Sequence, residues 1–490
     1  MIKDLVRGTT HYSAGNGMVM LAGLISFPIL TRLLSVEEYG ALSLISAALV
    51  FAVGAAKAGM QHAIVRFYVD ADSDGTLRRF YSSVLISMAL LAVAGWGGWL
   101  AVVTIVPHGW ATNPALQSAL MIAGGLVFIR VVDSAFLNIL RAREQSQLYN
   151  VVRVIKTYLS IGLFLTVLLY FRRDLNGYFG SLIAIELIML LYIASRMSGT
   201  ISFARTEYSG ELVKKMIFFG LPMMGFELAG AVLSFGDRFV IESVMGTAAV
   251  GEYSASYNLS EYVQQATFRA SWLASLPLIL RMWKSEGDVA TAEFVGRILS
   301  LYVLAAAPIV AGMALVGPAV VNILATDKFA AGTIIIPYVV AGMAFQGMAA
   351  YMAAGLYVNR ASLHLMVIVS GSALLNIVLN LFLVPRYGLI GAAWATLVSC
   401  VILALWSLLS GRRRIRVDIA LLPMLRYIGY SLIMYWAVSR IHFGNSTLTV
   451  AAQVAAGVVL YSLMVMILEK DIRRDVLAAT GIDKSGNGRA

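Results

Sequence analysis

Cations inside otherwise apolar segments are the residues of this sequence that could do chemistry. Four of them lie in or beside apolar segments of the first half of the chain: Lys57, Arg130, Arg153 and Lys156. A charge deep in a membrane costs about 2.5–3.5 kcal/mol on insertion scales, so each position requires an explanation. Because arginine can form paired hydrogen bonds with an oxyanion and lysine acts as a point charge, these cations favour an anionic ligand over a cationic one.

The second half of the chain offers a polar stripe at four-residue spacing, which places its members on one helix face: Tyr257, Glu261, Gln265 and Arg269. We count Gln265 and Arg269 among the candidate substrate-binding residues. A structural explanation is the alternative for all these positions. Long cationic side chains near a membrane surface can extend to the headgroups without binding a ligand, and Arg130 could pair with Asp133.

Acidic and amide groups at mid-depth are candidates for a coupling site. Glu186 lies in the middle of an apolar segment, and Asn16 and Glu227 lie at the same depth of two segments that are 211 positions apart. A carboxyl group in a low-dielectric interior favours its neutral form and can carry a proton. The coupling ion would be H⁺ or Na⁺. These residues could equally form hydrogen bonds between helices.

The sequence predicts no other cofactor and no metal centre. Cys400 is the single cysteine, the five histidines are scattered, and no Gly-rich phosphate loop is present. Asp237 and Arg238 fall at the outer end of a segment, where a gate or simple exposure to water would explain them. The net charge of +11 could suggest nucleic acid, but the uneven distribution of the charges argues against that partner.

Apolar segments must position all these residues. Of the chain, 60% is hydrophobic and 13% is charged, a balance that water-soluble proteins do not reach, and a spanning helix needs roughly 20 apolar residues. The sequence therefore predicts an all-α polytopic membrane protein with about fourteen transmembrane helices, at residues 13–34, 39–57, 80–106, 116–138, 148–171, 177–196, 213–236, 248–280, 295–316, 331–357, 362–384, 388–410, 419–438 and 447–468.

The second half of the chain repeats the first at an offset of 211 residues. Three glycines recur in the second and sixth spans of both halves: Gly40, Gly177 and Gly180 correspond to Gly251, Gly388 and Gly391. Duplicated helical bundles are typical of transporters that work by alternating access. We predict two pseudo-symmetric six-helix lobes and two C-terminal helices with a tail, at residues 1–205, 206–411 and 412–490.

Positive charge is distributed very unevenly between the two sides of the membrane. With the N-terminus inside, only seven Lys and Arg fall in outer loops: Arg32, Arg172, Arg173, Arg238, Lys328, Arg386 and Arg440. Cytoplasmic loops collect Lys and Arg, so the bias predicts that both termini are cytoplasmic. This arrangement requires an even number of spans.

Four strings in order resemble the Wzx-type lipid-linked oligosaccharide flippases, a polysaccharide biosynthesis family in the superfamily that includes MurJ and the MATE exporters. The strings are FPILTRLLSVEEYGALS at 27–43, SFGDRFVI at 234–241, VGEYSASYN at 250–258 and VPRYGLIGAA at 384–393. The resemblance covers nearly the whole chain. It is specific to the family and carries no information on the substrate.

The resemblance implies two six-helix lobes around a central cavity, in the inner membrane of a bacterium. It also implies a cargo, an undecaprenyl-pyrophosphate-linked oligosaccharide that moves from the cytoplasmic to the periplasmic leaflet for O-antigen, exopolysaccharide or capsule synthesis. The partners that the resemblance implies are the lipid bilayer, a polysaccharide polymerase and a chain-length regulator. The alternatives are a MATE-like exporter of small molecules, coupled to a cation, and a membrane glycan polymerase or ligase. Short outer loops argue against such an enzyme.

The orientation can be tested with fusions. A C-terminal phosphatase fusion should be inactive and a C-terminal fluorescent protein should fluoresce, because both would lie inside. A tag inserted after His442 should be accessible from outside. A C-terminus on the outer side would contradict an even number of spans.

Overall fold

The computed structural model describes residues 2–105, 114–199, 201, 204–359 and 361–474, and in this part the chain is helical with no strand. The first half forms α1 (Ile2–Leu33), α2 (Val36–Ala56), α3 (Met60–Ser73), α4 (Leu77–Ile105), α5 (Pro114–Ala142), α6 (Ser146–Tyr170) and α7 (Leu175–Met197). The remainder forms α8 (Gly210–Met245), α9 (Thr247–Val263), α10 (Ala270–Ala325), α11 (Ile336–Met352), α12 (Ala354–Val358), α13 (Ser362–Gly411), α14 (Leu421–Val438) and α15 (Ser446–Leu468).

The described residues contain twelve segments that are long and apolar enough to cross a membrane. Two of them consist of two helices joined at a glycine with a positive φ angle, Gly287 at φ 80° in α10 and Gly388 at φ 59° in α13. Each of these two segments therefore contains two helices, so the segments provide about fourteen spans. The predicted all-α polytopic fold is therefore confirmed.

Polar residues at the helix ends explain where several spans begin. Ser35 accepts a hydrogen bond from the backbone N–H of Glu38, whose carboxylate in turn accepts one from the backbone N–H of Ser35. Asp174 and Asn445 cap α7 and α15 in a related way. These side chains bind backbone N–H groups that lack a partner in the first helical turn.

The second span of each half is interrupted at equivalent positions. In the first half α2 ends at Lys57, and Ala58 and Gly59 have positive φ angles of 47° and 74° before α3 begins. In the second half a π-helical turn, Gln264–Arg269, joins α9 to α10 without a break. The stretch from His62, expected to be a cytoplasmic loop, thus continues the second span as α3.

The two halves are in close backbone contact where α2 crosses α9. A Cβ atom on Gly40 would overlap the carbonyl oxygen of Thr247, and a Cβ atom on Gly251 would overlap the carbonyl oxygen of Val36. Val36 and Thr247 are themselves 211 positions apart, as are Gly40 and Gly251. The contact is therefore reciprocal, as expected at a two-fold axis between related units.

A hydrogen bond lies on this pseudo-two-fold axis. The hydroxyl oxygens of Ser43 and Ser254 are 2.7 Å apart, and these residues also differ by 211 positions. We call the side of the membrane that carries this crossing the outer side, following the charge distribution. The boundaries of the lobes at residues 205 and 411 stay a prediction.

The crossing predicts the effect of adding one methyl group. Gly40→Ala and Gly251→Ala should each destabilise the protein by about 1–3 kcal/mol, because the new Cβ meets backbone that cannot move aside. Gly98→Ala in α4 is the matched control, since nothing lies within 4 Å of a Cβ there. Apparent melting temperatures in detergent would measure the difference. Equal values for Gly40→Ala and Gly98→Ala would show that the crossing is loose.

Candidate functional site

A cavity of about 520 Å³ lies between α2, α3, α5, α6 and α8. Its walls include three of the predicted substrate-binding cations, Lys57, Arg130 and Lys156, together with Glu227. These residues lie in the inner half of the membrane-spanning region, away from the crossing of α2 and α9. The structure thus brings together residues that are up to 170 positions apart in the sequence.

One face of α5 supplies the longest wall of the cavity. Arg130, Ser134, Asn138 and Arg141 follow one another at three- and four-residue spacing and all line the cavity. Arg141 lies in the last turn of α5 and donates a hydrogen bond to the side chain of Asn138 at 3.3 Å. This wall of the cavity therefore runs from Arg130, deep in the membrane-spanning region, to Arg141 near the inner surface.

Arg130 is held by a carboxylate of α7. Its Nε lies 3.1 Å from both oxygens of Glu186 and its Nη2 lies 2.8 Å from Oε1. The Glu186 side chain is 8% exposed. The expected alternative, a pair between Arg130 and Asp133, is wrong, because α7 presents a carboxylate with better geometry.

Asp133 instead holds Lys156 of α6. The Nζ of Lys156 donates to Oδ2 of Asp133 at 2.6 Å, and the Asp133 side chain is 6% exposed. Two of the cavity cations are therefore neutralised locally by buried carboxylates. Pairing of this kind offsets the large cost of taking a charge out of water.

Lys57 is different, because no carboxylate lies within ion-pair distance of it in the described part of the chain. The same holds for Arg141, whose hydrogen-bond partner is the side-chain amide of Asn138. Lys57 is at the end of α2, where the turn into α3 directs Gln61 and His62 to the same cavity. These cations give the cavity its uncompensated positive charge.

Glu227 reaches into the cavity from α8 and contacts the first half of the chain. It accepts a hydrogen bond from the Gln61 amide at 2.5 Å and lies 3.6 Å from Nε2 of His62. Its side chain is 42% exposed. This carboxylate is thus a polar link between the second half and α3.

Arg153 and Asn16 contact each other beside the cavity. Nη1 of Arg153 donates to the Asn16 side chain at 3.2 Å, and its guanidinium lies 5.4 Å from the ring centre of Tyr149, which lines the cavity. Asn16 therefore does not share a site with Glu227, although the two are equivalent in the repeat. The partner of Asn16 is Arg153, one of the predicted substrate-binding cations.

Arg269 and Gln265 do not line this cavity. Both belong to the π-helical turn, which shifts the regular four-residue spacing on which their shared stripe depended. Gln265 donates to Glu261 at 3.2 Å, and Arg269 is exposed. Their role in substrate binding stays a prediction.

Of the two explanations for Asp237 and Arg238, a gate or exposure to water, the second is wrong, because the two residues are 1% and 3% exposed. The hydroxyl of Tyr253 donates to Asp237 at 2.5 Å. The Arg238 guanidinium lies 4.7 Å from the ring centre of Phe235 and contacts Asn258 at 3.4 Å. Since α9 and its neighbours cover the pair, it belongs to the packed outer part of the second half.

Sequence reasoning missed four polar residues of the cavity: Gln61, His62, Ser134 and Asn138. The stripe on α5 was recoverable, because Ser134 and Asn138 follow Arg130 at four-residue intervals. Gln61 and His62 were assigned to a loop, and no local signal shows that the chain turns them inward. Among the described residues, no group of three His, Cys, Asp or Glu side chains could hold a metal ion.

Comparison with known proteins places this chain in a family. A model of the polysaccharide biosynthesis protein family matches residues 5–283. No curated protein matches the chain. The following likenesses to solved structures, all at low sequence identity, concern the fold alone.

The structure of the lipid II flippase MurJ in an inward closed conformation aligns with a TM-score of 0.78 at 14% identity, over 94% of this chain and 99% of that one. An outward-facing multidrug resistance MATE transporter aligns with a TM-score of 0.61 at 16% identity, over 83% and 95%. A transporter of the same superfamily from Pyrococcus furiosus aligns with a TM-score of 0.60 at 14% identity, over 84% and 95%.

These structures share the fold of flippases and transporters, and the predicted relation to MurJ and the MATE proteins is confirmed. The family model covers more than half of the 490 residues. The chain is thus a multi-pass membrane protein that belongs to the polysaccharide biosynthesis protein family.

Proposed function

We propose that this protein moves a polyprenyl-pyrophosphate-linked oligosaccharide from the cytoplasmic to the periplasmic leaflet of a bacterial inner membrane. The observation that carries the proposal is the cationic cavity in the inner half of a molecule whose halves are in contact on the outer side. The product would serve a surface polysaccharide such as O-antigen, exopolysaccharide or capsule. The family and the likeness to a lipid II flippase support this class of cargo.

The charge arrangement favours an anionic headgroup. A pyrophosphate linker carries about two negative charges, and Lys57 and Arg141 offer cations without a carboxylate partner. Arg130 and Lys156 retain N–H donors beyond those used by Glu186 and Asp133. A small cationic drug, the cargo of a MATE-like exporter, would meet repulsion here. Polar neutral groups such as Ser134 and Asn138 would suit sugar hydroxyls.

Transport would follow from rocking the two halves about their contact. The headgroup enters the cavity from the inner side while the polyprenyl tail stays in lipid. Opening of the outer crossing and closing of the inner side then expose the cavity to the periplasm. An inside-negative potential would favour export of an anion by about 2.3 kcal/mol per charge per 100 mV.

The first prediction concerns the cations. Lys57→Ala should lower the rate of flipping of a polyprenyl-pyrophosphate-linked glycan about 10- to 100-fold, since a hydrogen bond to a charged group is worth about 1.5–3 kcal/mol. Arg269→Ala should also lower it if the second half binds the headgroup. Arg66→Ala is the control, because Arg66 forms an exposed pair with Asp70. Reconstituted vesicles with equal protein content provide the assay.

Full flipping by a Lys57→Ala, Arg269→Ala double variant would refute a role of these side chains in headgroup binding. A preference of the cavity for organic cations over pyrophosphate lipids would instead favour the exporter.

The second prediction concerns coupling to H⁺ or Na⁺. We propose Glu227 as the coupling carboxylate, because it is partly exposed to the cavity and links the two halves. Glu227→Gln should slow flipping driven by an imposed ion gradient and leave headgroup binding intact. Glu186→Gln should weaken headgroup binding itself, because Arg130 then loses the carboxylate that fixes its orientation. If Glu227→Gln responds to every gradient as the wild type does, the potential alone can drive transport.

A further inference from the structure

Two cations on the outer side bind backbone carbonyl groups of the opposite half. Arg32, in the last turn of α1, donates from Nη2 to the carbonyl oxygen of Ile323 at 3.2 Å. Lys328, just beyond α10, donates from Nζ to the carbonyl oxygen of Leu34 at 2.6 Å. Each of two turns therefore donates one cationic side chain to the other. The turns are the one between α1 and α2 and the one after α10.

The acceptors are carbonyl groups that their own helices leave without a partner. Leu34 directly follows α1, and Ile323 lies in the last turn of α10. The last four carbonyls of a helix have no intrahelical N–H, and cations near a helix C-terminus are stabilising. Each bond thus joins a positive side chain to the negative end of a helix in the other half.

These bonds border the outer crossing of α2 and α9. On the same side, the ring of Tyr39 lies 5.4 Å from the ring of Phe329, and a Cβ atom on Gly332 would overlap the carbonyl oxygen of Glu252. Those contacts are apolar or between backbones. Both Arg32 and Lys328 are exposed, so water and salt reach this rim directly.

We propose that Arg32 and Lys328 form an outer latch that keeps the halves together on the outer side and must release before the cavity opens there. This inference rests on the alternating access of the proposed function. The latch consists of two charge-dependent bonds, one exposed and one partly buried, at a rim that water reaches, and such bonds are weak enough to break in every transport cycle. Glu38 lies near Lys328 and offers it a partner once the bond to Leu34 is broken.

The latch can be tested without any cargo. Ser43→Cys, in a Cys400→Ser background that removes the single cysteine, places a thiol at the crossing, where Ser43 is 8% exposed. The rate at which an impermeant maleimide labels this thiol from the outer side of oriented proteoliposomes measures how often α2 and α9 separate. When the closed state dominates, this rate is proportional to the open population.

Arg32→Gln and Lys328→Gln should each raise the labelling rate about two- to fivefold, the effect of one exposed cation at a helix end, and the double variant should raise it further. Arg32→Lys and Lys328→Arg keep the positive charge, so their labelling rates should stay near that of the Ser43→Cys, Cys400→Ser parent. Arg440→Gln is the matched control, because Arg440 is an outer cation that stacks on Trp436 in the last turns of α14 and has no bond to the described residues of the first half. High salt should accelerate labelling of the Ser43→Cys, Cys400→Ser parent and have little effect on labelling of the double variant.

Equal labelling in the double variant, the Arg440→Gln control and the Ser43→Cys, Cys400→Ser parent would overturn the proposal. The two bonds would then only satisfy carbonyl groups at the helix ends. A double variant whose thiol stays unlabelled would also overturn the proposal. Because no glycan is present, a failure of the glycan-flipping proposal would leave this result intact. Adding Ser254→Cys, whose oxygen is 2.7 Å from that of Ser43, should allow a disulfide that abolishes labelling until it is reduced.

Discussion

The close approach of α2 and α9 is the contact on which the rest of the structure depends. Lipid tails are as apolar as leucine, so no hydrophobic force drives helices together inside a membrane. Glycine lets two backbones approach until dispersion and polar contacts act over the whole crossing. Because Gly40 and Gly251 contact each other's helices reciprocally, one geometric solution serves both halves. It closes the outer side and leaves the cavity on the inner side.

Electrostatics then decides what the cavity can hold. Arg130 of α5 and Lys156 of α6 are partly exposed, and each has a buried carboxylate within 3.1 Å that largely neutralises its charge. What remains for a ligand is the charge of Lys57 and Arg141 and the unused donors of the paired groups. Carboxylates such as Glu186 also fix the orientation of the cations, which prepares the site before an anion arrives.

Hydropathy and spacing, which are local properties, predicted the fourteen spans, the repeat and the set of inner cations. The partners of these cations could not be predicted in the same way. Arg130 pairs with Glu186 across 56 positions, a choice made by helix packing. The burial of Arg238 was missed because the end of a span was equated with its exposure. The π turn before Arg269 was invisible, since it changes helix geometry without changing hydropathy.

The interruption of the second span has a consequence for the symmetry of the cavity. Ala58 and Gly59 turn the chain with positive φ angles, whereas the equivalent place in the second half is a continuous π turn. The cavity is lined mainly by α2, α3, α5 and α6. Two identical chains on a two-fold axis would carry every such feature twice or not at all. Joining both copies in one polypeptide freed them to diverge at this turn while their shared crossing stayed fixed. One cavity built almost wholly by one half is therefore possible here, whereas a symmetric dimer would carry the same cavity in both halves.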